Sequence, residues 1–154
     1  MINGAMLVAQ RGTSSTSSGA HTLDRFFNSF ATVAVTQSQD TTVPSGEGFT
    51  KSFKQEFTTA SSSAAAYYSV YTTLEGQDLI NSGWDYTSPS SFITISFYIK
   101  SSVAGTYTCS FRTAAGTVKA FSFQYTLAAD TWTRVTKSIP GNSGITINND
   151  STKG

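Results

Sequence analysis

The sequence predicts an all-β fold, an antiparallel β-sandwich of the jelly-roll kind with one or two short helical turns. Ser and Thr occupy 48 of the 154 positions, aromatic residues make up 13% and charged residues only 12%. β-Branched and aromatic side chains pack well on a pleated sheet, so this composition favours strands. Apolar and polar residues also alternate along several segments, as they do in strands with one buried face. Two packed sheets would bury these faces, and residues 1–154 are predicted to form a single domain.

The clearest predicted strands lie in the centre of the chain. The segments SFITISFYIK, TYTCSFRT and FSFQYTL each place an apolar residue at every second position. Their regular succession predicts an antiparallel meander with one side buried. The segment TWTRVTKSIPG adds a strand that ends at Pro140 and Gly141, and residues 144–148 (GITIN) add a short last strand. The side chains predicted to face inward are Ile93, Ile95, Phe97, Ile99, Tyr107, Cys109, Phe111, Phe121, Phe123, Tyr125, Leu127, Val135, Ile139, Ile145 and Ile147.

The first half of the chain has weaker patterns. Residues 5–10 are compatible with a strand, and ATVAVTQ predicts another. Thr22 is expected to cap a helical turn that places Leu23, Phe26 and Phe27 on one side, at spacing i, i+3 and i+4. The segment FTKSFKQEFTT fits a helix and a strand, but its Ser and Thr residues favour the strand. AAYYSVYTTLEG predicts a further strand, and GQDLINSG predicts a short helical turn.

Charge and residue counts exclude several functional classes. Ten Lys and Arg against nine Asp and Glu give a net charge of +1, so the sequence offers no broad basic surface for nucleic acid. No apolar run approaches the ~20 residues that a membrane-spanning helix needs. The single cysteine, Cys109, cannot form an intrachain disulfide. The single histidine, His21, excludes a three-histidine zinc site and leaves one possible base for a catalytic triad.

No motif in the sequence indicates catalysis or metal binding. There is no nucleotide-binding loop, zinc spacing, EF-hand loop or nucleophile elbow, and the carboxylates are scattered. Cys109 shares a strand face with Tyr107 and Phe111, which indicates a buried thiol and not a nucleophile. Asp24 and Arg25 are interpreted as a structural salt bridge or a loop clamp. We therefore predict no catalytic residue, no metal ion and no cofactor.

Aromatic residues outside the predicted core are the main candidates for binding. Aromatic rings stack on sugar rings in many β-sandwich modules, and Trp84, Tyr86 and Tyr98 are the first candidates for glycan contacts. The simpler interpretation is that such rings belong to a second core or to an interface between protein chains, and we favour it. The aromatic residues predicted to lie opposite the core or in a loop are Tyr67, Tyr71, Phe92, Tyr98, Trp84 and Tyr86.

Several strings in the chain resemble a recurrent domain of bacteriophage virion proteins, in particular tail-fibre and other particle-surface proteins. The opening NGAMLVAQRGTSS matches the pattern N-G-A-x-x-V-A-Q-R-G-T-S, and it is followed by TLDRFF. Similar strings are YYSVYTTLEGQDLINSGWDY, FITISFYIKSSVAGTYT and ADTWTRVTKSIPGN, so the resemblance covers nearly the whole chain. It implies a jelly-roll sandwich of the carbohydrate-binding-module type with a structural or attachment role, and it supplies no catalytic residues.

The resemblance also implies where the protein acts and with what. We expect a non-enzymatic virion protein, either a capsid decoration or cement protein or a component of a tail fibre or spike. Its expected partners are other virion proteins and copies of itself, with a trimer as the first hypothesis, because phage oligomers are closed and symmetric. Domains of this type continue past a segment like NNDSTKG into further strands. Either the chain is shortened, or neighbours in an assembly complete the sandwich.

Two other functions remain as alternatives. A carbohydrate-binding module for host surface glycan would need an exposed aromatic strip, and it is compatible with a tail-fibre location. A polysaccharide depolymerase is disfavoured because the chain has one histidine and no recognisable acid pair.

Overall fold

The computed structural model describes residues 3–148, and it confirms the predicted all-β, antiparallel fold class. The described residues cluster into two compact units, with the boundary between Thr73 and Leu74. The single-domain organisation of residues 1–154 stays a prediction, as does the jelly-roll topology. The regular elements of the described part are β1 (Ser14–Ser15), β2 (Phe26–Ala31), β3 (Ala34–Asp40), β4 (Ser52–Thr59), β5 (Tyr67–Thr72), α1 (Gly76–Ile80), β6 (Phe92–Ile99), β7 (Gly105–Arg112), β8 (Ala120–Leu127) and β9 (Thr133–Pro140).

Unit 1 contains two antiparallel sheets, with strand orders β1-β3-β4 and β2-β5. The pairing is nested, because the outer strands β2 and β5 pair with each other and enclose the β3–β4 hairpin in sequence. The side chains of the two sheets meet in two edge-to-face aromatic pairs. Phe26 and Phe53 have ring centroids 6.0 Å apart, and Phe57 and Tyr68 have centroids 4.8 Å apart.

Unit 2 repeats this nested pairing with different strands. The β7–β8 hairpin lies in sequence between β6 and β9, which pair with each other from Phe92↔Pro140 to Ile99↔Thr133. The predicted meander is therefore wrong, because β6 pairs with β9 and not with the next strand. The loop that leads from β6 to β7 and the loop that leads from β8 to β9 are also hydrogen-bonded, because the Asp130 amide donates to the Ser101 carbonyl at 2.7 Å. The β6–β9 pair and the β7–β8 pair are therefore the two halves of one two-stranded ribbon that folds back on itself.

Each unit has its own buried centre. In unit 1, Leu23, Phe26 and Val35 are buried beside a polar group of Thr22, Asn28 and Gln37. In unit 2, Leu79, Trp84 and Ile147 form one cluster, and Ile139 and Leu127 are also buried. The inward faces predicted for β6, β7, β8 and β9 agree with the alternation of burial along these strands, while Ile147 reaches the core from a loop.

Three sequence-based element predictions differ from the structure. The helical turn expected after Thr22 is wrong: Arg25 adopts a φ of +73°, which ends any helical path, and β2 begins at the next residue. Residues 5–10 form a loop and not a strand. Residues 144–148 also lack strand pairing and follow a turn in which the Ile145 amide donates to the Asn142 carbonyl. The helical turn predicted in GQDLINSG is present as α1.

Hydrogen bonds join the two N-terminal strings that carry the phage resemblance, NGAMLVAQRGTSS and TLDRFF. The Asn3 side-chain amide donates to the carbonyls of Val8 and Asp24, each at 2.9 Å, while its oxygen accepts from the Val8 amide. The Asp24 carboxylate accepts from the Gln10 amide at 3.3 Å, as the predicted loop clamp requires. Arg11 donates to the Ala20 carbonyl at 2.9 Å. The resemblance places the segment NNDSTKG (residues 148–154) before further strands, and all of it except Asn148 lies outside the described residues.

Candidate functional site

The outer face of the β2–β5 sheet in unit 1 carries an exposed group of aromatic residues. Register pairs place Phe27 opposite Tyr71 and Ala31 opposite Tyr67, and alternation directs these side chains away from the interior. The rings of Phe27 and Tyr71 are stacked, with centroids 5.3 Å apart and an angle of 11° between their planes. Tyr67 and Tyr71 are 52% and 46% exposed. We call Phe27, Tyr67 and Tyr71 the aromatic face.

Each of the two sheets of unit 1 ends in a strand with an open edge. β5 pairs only with β2, and β4 is the last strand of its sheet, so among the described residues each has an edge without a strand partner. Phe57 on β4 and Val70 on β5 are both substantially exposed. The hydroxyl of Tyr68 is buried, and this burial raises its pKa. Open edges and exposed apolar side chains occur together here, as they do at sites of strand addition.

The aromatic face carries no charge. Its remaining outward positions are Ser29, Ser69 and Ala31, and the Ser29 hydroxyl lies 3.1 Å from the Tyr67 hydroxyl. Depletion of charge with enrichment of Tyr and Phe is the composition of the centre of a protein–protein interface. The sequence analysis had identified Tyr67 and Tyr71 as aromatic residues opposite the core, and the structure places both on this surface.

The three residues proposed for glycan contacts do not form one strip. Trp84 is only 6% exposed, because it packs against Leu79 and Ile147, and its indole N–H donates to the Ser91 carbonyl at 3.3 Å. Tyr86 is half-buried beside it, with ring centroids 6.4 Å apart. Tyr98 lies on the outer face of β6, about 20 Å along the strand from Phe92 at ~3.3 Å per residue. Exposure of Trp84 was therefore wrongly expected, while glycan binding itself stays a prediction.

Unit 2 contains a cleft of about 140 Å³ at the end of the β7–β8 hairpin. Its floor is apolar: Phe111 and Phe121 are register partners on β7 and β8, and Trp84 meets Phe111 edge-to-face at 6.2 Å. The strand alternation of TYTCSFRT and AFSFQYTL directs both Phe side chains to the inner face. Ile139 on β9 also borders the cleft.

The polar groups of the cleft are mainly hydrogen-bond donors. Arg112 and Lys119 flank the hairpin turn, which is closed by the Thr113 amide donating to the Lys119 carbonyl at 2.9 Å and the Lys119 amide donating to Thr113 Oγ1 at 3.0 Å. Asn142 faces the cleft as well, and its side-chain oxygen accepts from the Gly144 amide at 2.8 Å, which leaves its NH₂ as the group available to a ligand. None of the described residues that line the cleft is an Asp or a Glu.

Lys119 is held against the far wall of the cleft. A Cβ atom at Gly144 would lie 2.9 Å from Lys119 Cε and 3.3 Å from Nζ, so the lysine side chain packs on the Gly144 backbone. Within residues 3–148, neither Arg112 nor Lys119 is part of an ion pair. Alternation along β7 turns Arg112 to the face opposite Phe111, so Lys119 is the cation that borders the apolar cleft. Neither the cleft nor Lys119 was among the sites predicted from the sequence.

The remaining reactive groups have structural surroundings. His21 is exposed, and its Nε2 lies 2.9 Å from the Ser18 carbonyl oxygen. Cys109 is half-buried on the inner face of β7, and this burial raises the pKa of its thiol, which keeps it protonated at neutral pH. Across the described part of the chain, no three His, Cys, Asp or Glu side chains are grouped so that they could hold a metal ion. Nor does any helix of residues 3–148 have the length and apolar character to cross a membrane.

Comparison of the chain with protein-family models, with curated proteins and with solved structures gives no match. The function is therefore argued from the aromatic face of unit 1, the cleft of unit 2 and the phage resemblance of the sequence strings.

Proposed function

We propose that this protein is a non-enzymatic module of a phage particle surface, in a capsid decoration or in a tail fibre or spike, that acts through protein–protein assembly. The observation that carries the proposal is the aromatic face. A stacked Phe–Tyr pair and a second exposed Tyr lie on one uncharged sheet face, and exposed aromatic rings without nearby charge are typical of the centre of a protein–protein interface. The resemblance of the sequence strings to phage surface domains supports the location on a virion.

Assembly through this face would remove both Tyr rings and their Phe partner from water. Aromatic residues are rigid and large, so they lose little conformational entropy on binding and contribute strongly to interfaces. The open edge of β5, in the same sheet as the aromatic face, adds backbone donors and acceptors to which a neighbouring chain can add a strand. We propose a closed homo-oligomer, and a trimer is the expected form.

Removing two aromatic residues from the face should break the oligomer. The double variant Tyr67→Ser/Tyr71→Ser leaves the inner face of β5 unchanged, because both side chains point outward. In sedimentation velocity at micromolar concentration, the parent protein is expected to sediment as an oligomer and the double variant as a monomer. We expect a loss of at least about ten-fold in association, since interface aromatic residues each contribute ~1 kcal/mol or more.

The matched control is Phe92→Ser, which removes an equally exposed aromatic residue (59%) from a strand of unit 2. This variant is expected to sediment like the parent. A parent protein that sediments as a monomer, or a double variant that keeps the parent's oligomeric state, would contradict assembly through the aromatic face. Absence of the protein from purified particles of the phage that encodes it would contradict the virion location.

A second function, recognition of host surface glycan, is favoured by the cleft of unit 2. Apolar walls with a few convergent polar groups are typical of small-ligand sites. Trp84 is part of the core there, so the substitution Trp84→Ala would report on folding. A variant of Lys119 is the informative one, because this side chain is exposed and packs on Gly144 beside the cleft.

A further inference from the structure

We infer that β5 joins two copies of this chain by strand addition, with the N–H and C=O groups of Tyr68 and Val70 as its hydrogen-bonding groups. This inference rests on the proposed assembly through the aromatic face, and it names the main-chain contact that accompanies that face. The partner is an extended segment of a second copy of the chain.

The backbone of β2 shows which main-chain groups of β5 are free. Asn28 and Gly19 form a reciprocal pair, in which the Gly19 amide donates to the Asn28 carbonyl at 2.8 Å and the Asn28 amide donates to the Gly19 carbonyl at 3.4 Å. The N–H and C=O of Asn28 therefore point away from β5. Val70 is the register partner of Asn28, so it occupies a non-hydrogen-bonded position of the β2–β5 pair.

Alternation along the strand assigns the neighbours of Val70. Ser69 lies opposite Ser29 at a hydrogen-bonded position, and its main-chain groups point toward β2. Tyr68 is two residues from Val70, so its main-chain groups point to the open edge as well. Outside the strand pairing, no backbone hydrogen bond of residues 3–148 involves Tyr68 or Val70. Each of these two residues thus presents one donor and one acceptor along the open edge of β5.

The side chain of Val70 indicates that an assembly covers this edge. Val70 faces the interior of unit 1 together with Asn28, which is only 1% exposed, yet Val70 itself is 45% exposed. In a sheet, an inward side chain is covered in part by the side chains of the next strand. An exposed β-branched side chain and free main-chain groups at one edge together favour pairing with another chain.

The surface beside the edge favours a second copy of the chain as the partner. A strand added to β5 places its outward side chains beside Tyr67, Ser69 and Tyr71, on the uncharged aromatic face. Like charges placed opposite each other destabilise a strand pair, and this face gives two identical chains no charge with which to repel each other. In the proposed trimer, the added segment is not β5 itself, because pairing of β5 with its own copy needs a two-fold axis.

The substitution Val70→Pro tests the main-chain contact. It removes an N–H that faces the open edge and leaves the hydrogen bonds to β2 in place, so the variant should fold, as proline is tolerated on such edge strands. In sedimentation velocity, its dissociation constant for assembly should rise at least about ten-fold, because the ring removes a hydrogen bond and blocks the added strand. The matched control, Val70→Ala, keeps the N–H and should keep the parent's oligomeric state.

Amide hydrogen exchange of the full chain, labelled with ¹⁵N, locates the contact. In the parent oligomer, the amides of Tyr68, Ser69 and Val70 should all be protected. The double variant Tyr67→Ser/Tyr71→Ser supplies the monomer for comparison. In this monomer, Ser69 should stay protected by its bond to β2, while the amides of Tyr68 and Val70 should exchange at least about ten-fold faster than in the oligomer.

The outcomes separate strand addition from assembly itself. An oligomeric parent in which Tyr68 and Val70 exchange as fast as in the monomeric variant would overturn strand addition and keep assembly through side chains. The inference would also fail if Val70→Pro associates like the parent. It would fail if this variant does not fold, because the Val70 amide would then bond within the chain. A monomeric parent would contradict both the inference and the proposed assembly.

Discussion

The substitution Gln37→Ala should lower the free energy of unfolding of unit 1 by about 3 kcal/mol. Gln37 is 0% exposed and connects three parts of the unit. Its side-chain oxygen accepts from Thr22 Oγ1 at 3.0 Å, and its NH₂ donates to the Ser17 carbonyl at 2.7 Å and to Asn28 Oδ1 at 3.1 Å. Alanine would leave these groups without that partner and create a cavity, and both effects destabilise the folded state.

Urea titration followed by far-ultraviolet circular dichroism measures this loss, and hydrogen exchange of residues 14–40 locates it. The matched control is Gln124→Ala on the exposed face of β8, which should change the stability by no more than ~0.5 kcal/mol. A second variant, Gln37→Met, keeps most of the side-chain volume but removes the hydrogen bonds. A Gln37→Met variant as stable as the parent would show that the hydrogen bonds of Gln37 do not stabilise unit 1.

The substitution Gly141→Ala should destabilise unit 2 by about 3 kcal/mol. A Cβ atom at this buried position would lie 2.5 Å from the Ser88 carbonyl oxygen, 2.7 Å from that of Asp85 and 2.8 Å from the Tyr86 carbonyl carbon. The backbone cannot move aside easily, because the Gly141 amide donates to Ser91 at 3.0 Å and the next amide donates to Tyr86 at 2.9 Å. The methyl group would therefore push residues 85–88 away from the end of β9.

Trp84 provides a local reporter for this second variant. It directly precedes the displaced segment and is buried, so its fluorescence emission should shift to longer wavelength as the indole gains water. The matched control is Gly105→Ala, where the nearest atom to a new Cβ is Tyr107 Cε2 at 4.0 Å. That variant should stay within ~0.5 kcal/mol of the parent. Equal stability of the two variants would show that residues 85–88 do not pack closely on Gly141.

The strands could be predicted from the sequence where one face of the sheet is buried and the other is exposed to solvent. In β6, β7 and β8 the alternation of Ile, Phe and Tyr with Ser and Thr indicated the strands and their inward faces. Alternation states which face a side chain occupies, but not which strand lies beside it. The pairing of β6 with β9 depends on how the ribbon folds over, and consecutive hairpins were the simpler expectation.

Local spacing was misleading at the start of β2. Leu23, Phe26 and Phe27 have the i, i+3, i+4 spacing of a helix, yet Phe26 and Phe27 point to opposite sides of a strand that pairs with β5. The strand conformation of these residues depends on pairing with β5, which lies more than forty residues further along the chain, so no short window of sequence contains both strands. Tertiary pairing commonly overrides such local patterns.

Part of the aromatic face could be predicted from the sequence, whereas the cleft could not. Tyr67 and Tyr71 were predicted to lie opposite the core, because alternate residues of a strand face opposite sides and this alternation can be followed along β5 in the sequence. The cleft was not identified, since it needs Arg112 and Lys119 from a hairpin together with Asn142 from beyond β9. Trp84 was expected in a loop outside the core, whereas Leu79 of α1 and Ile147 bury it.

The native mass of the parent protein, measured by static light scattering at micromolar concentration, decides whether the chain assembles through the aromatic face. Assembly through the aromatic face predicts a closed oligomer, with three times the mass of one chain as the expected value. A mass equal to that of one chain over the whole micromolar range would contradict the claim that this protein is an assembling module of a phage surface.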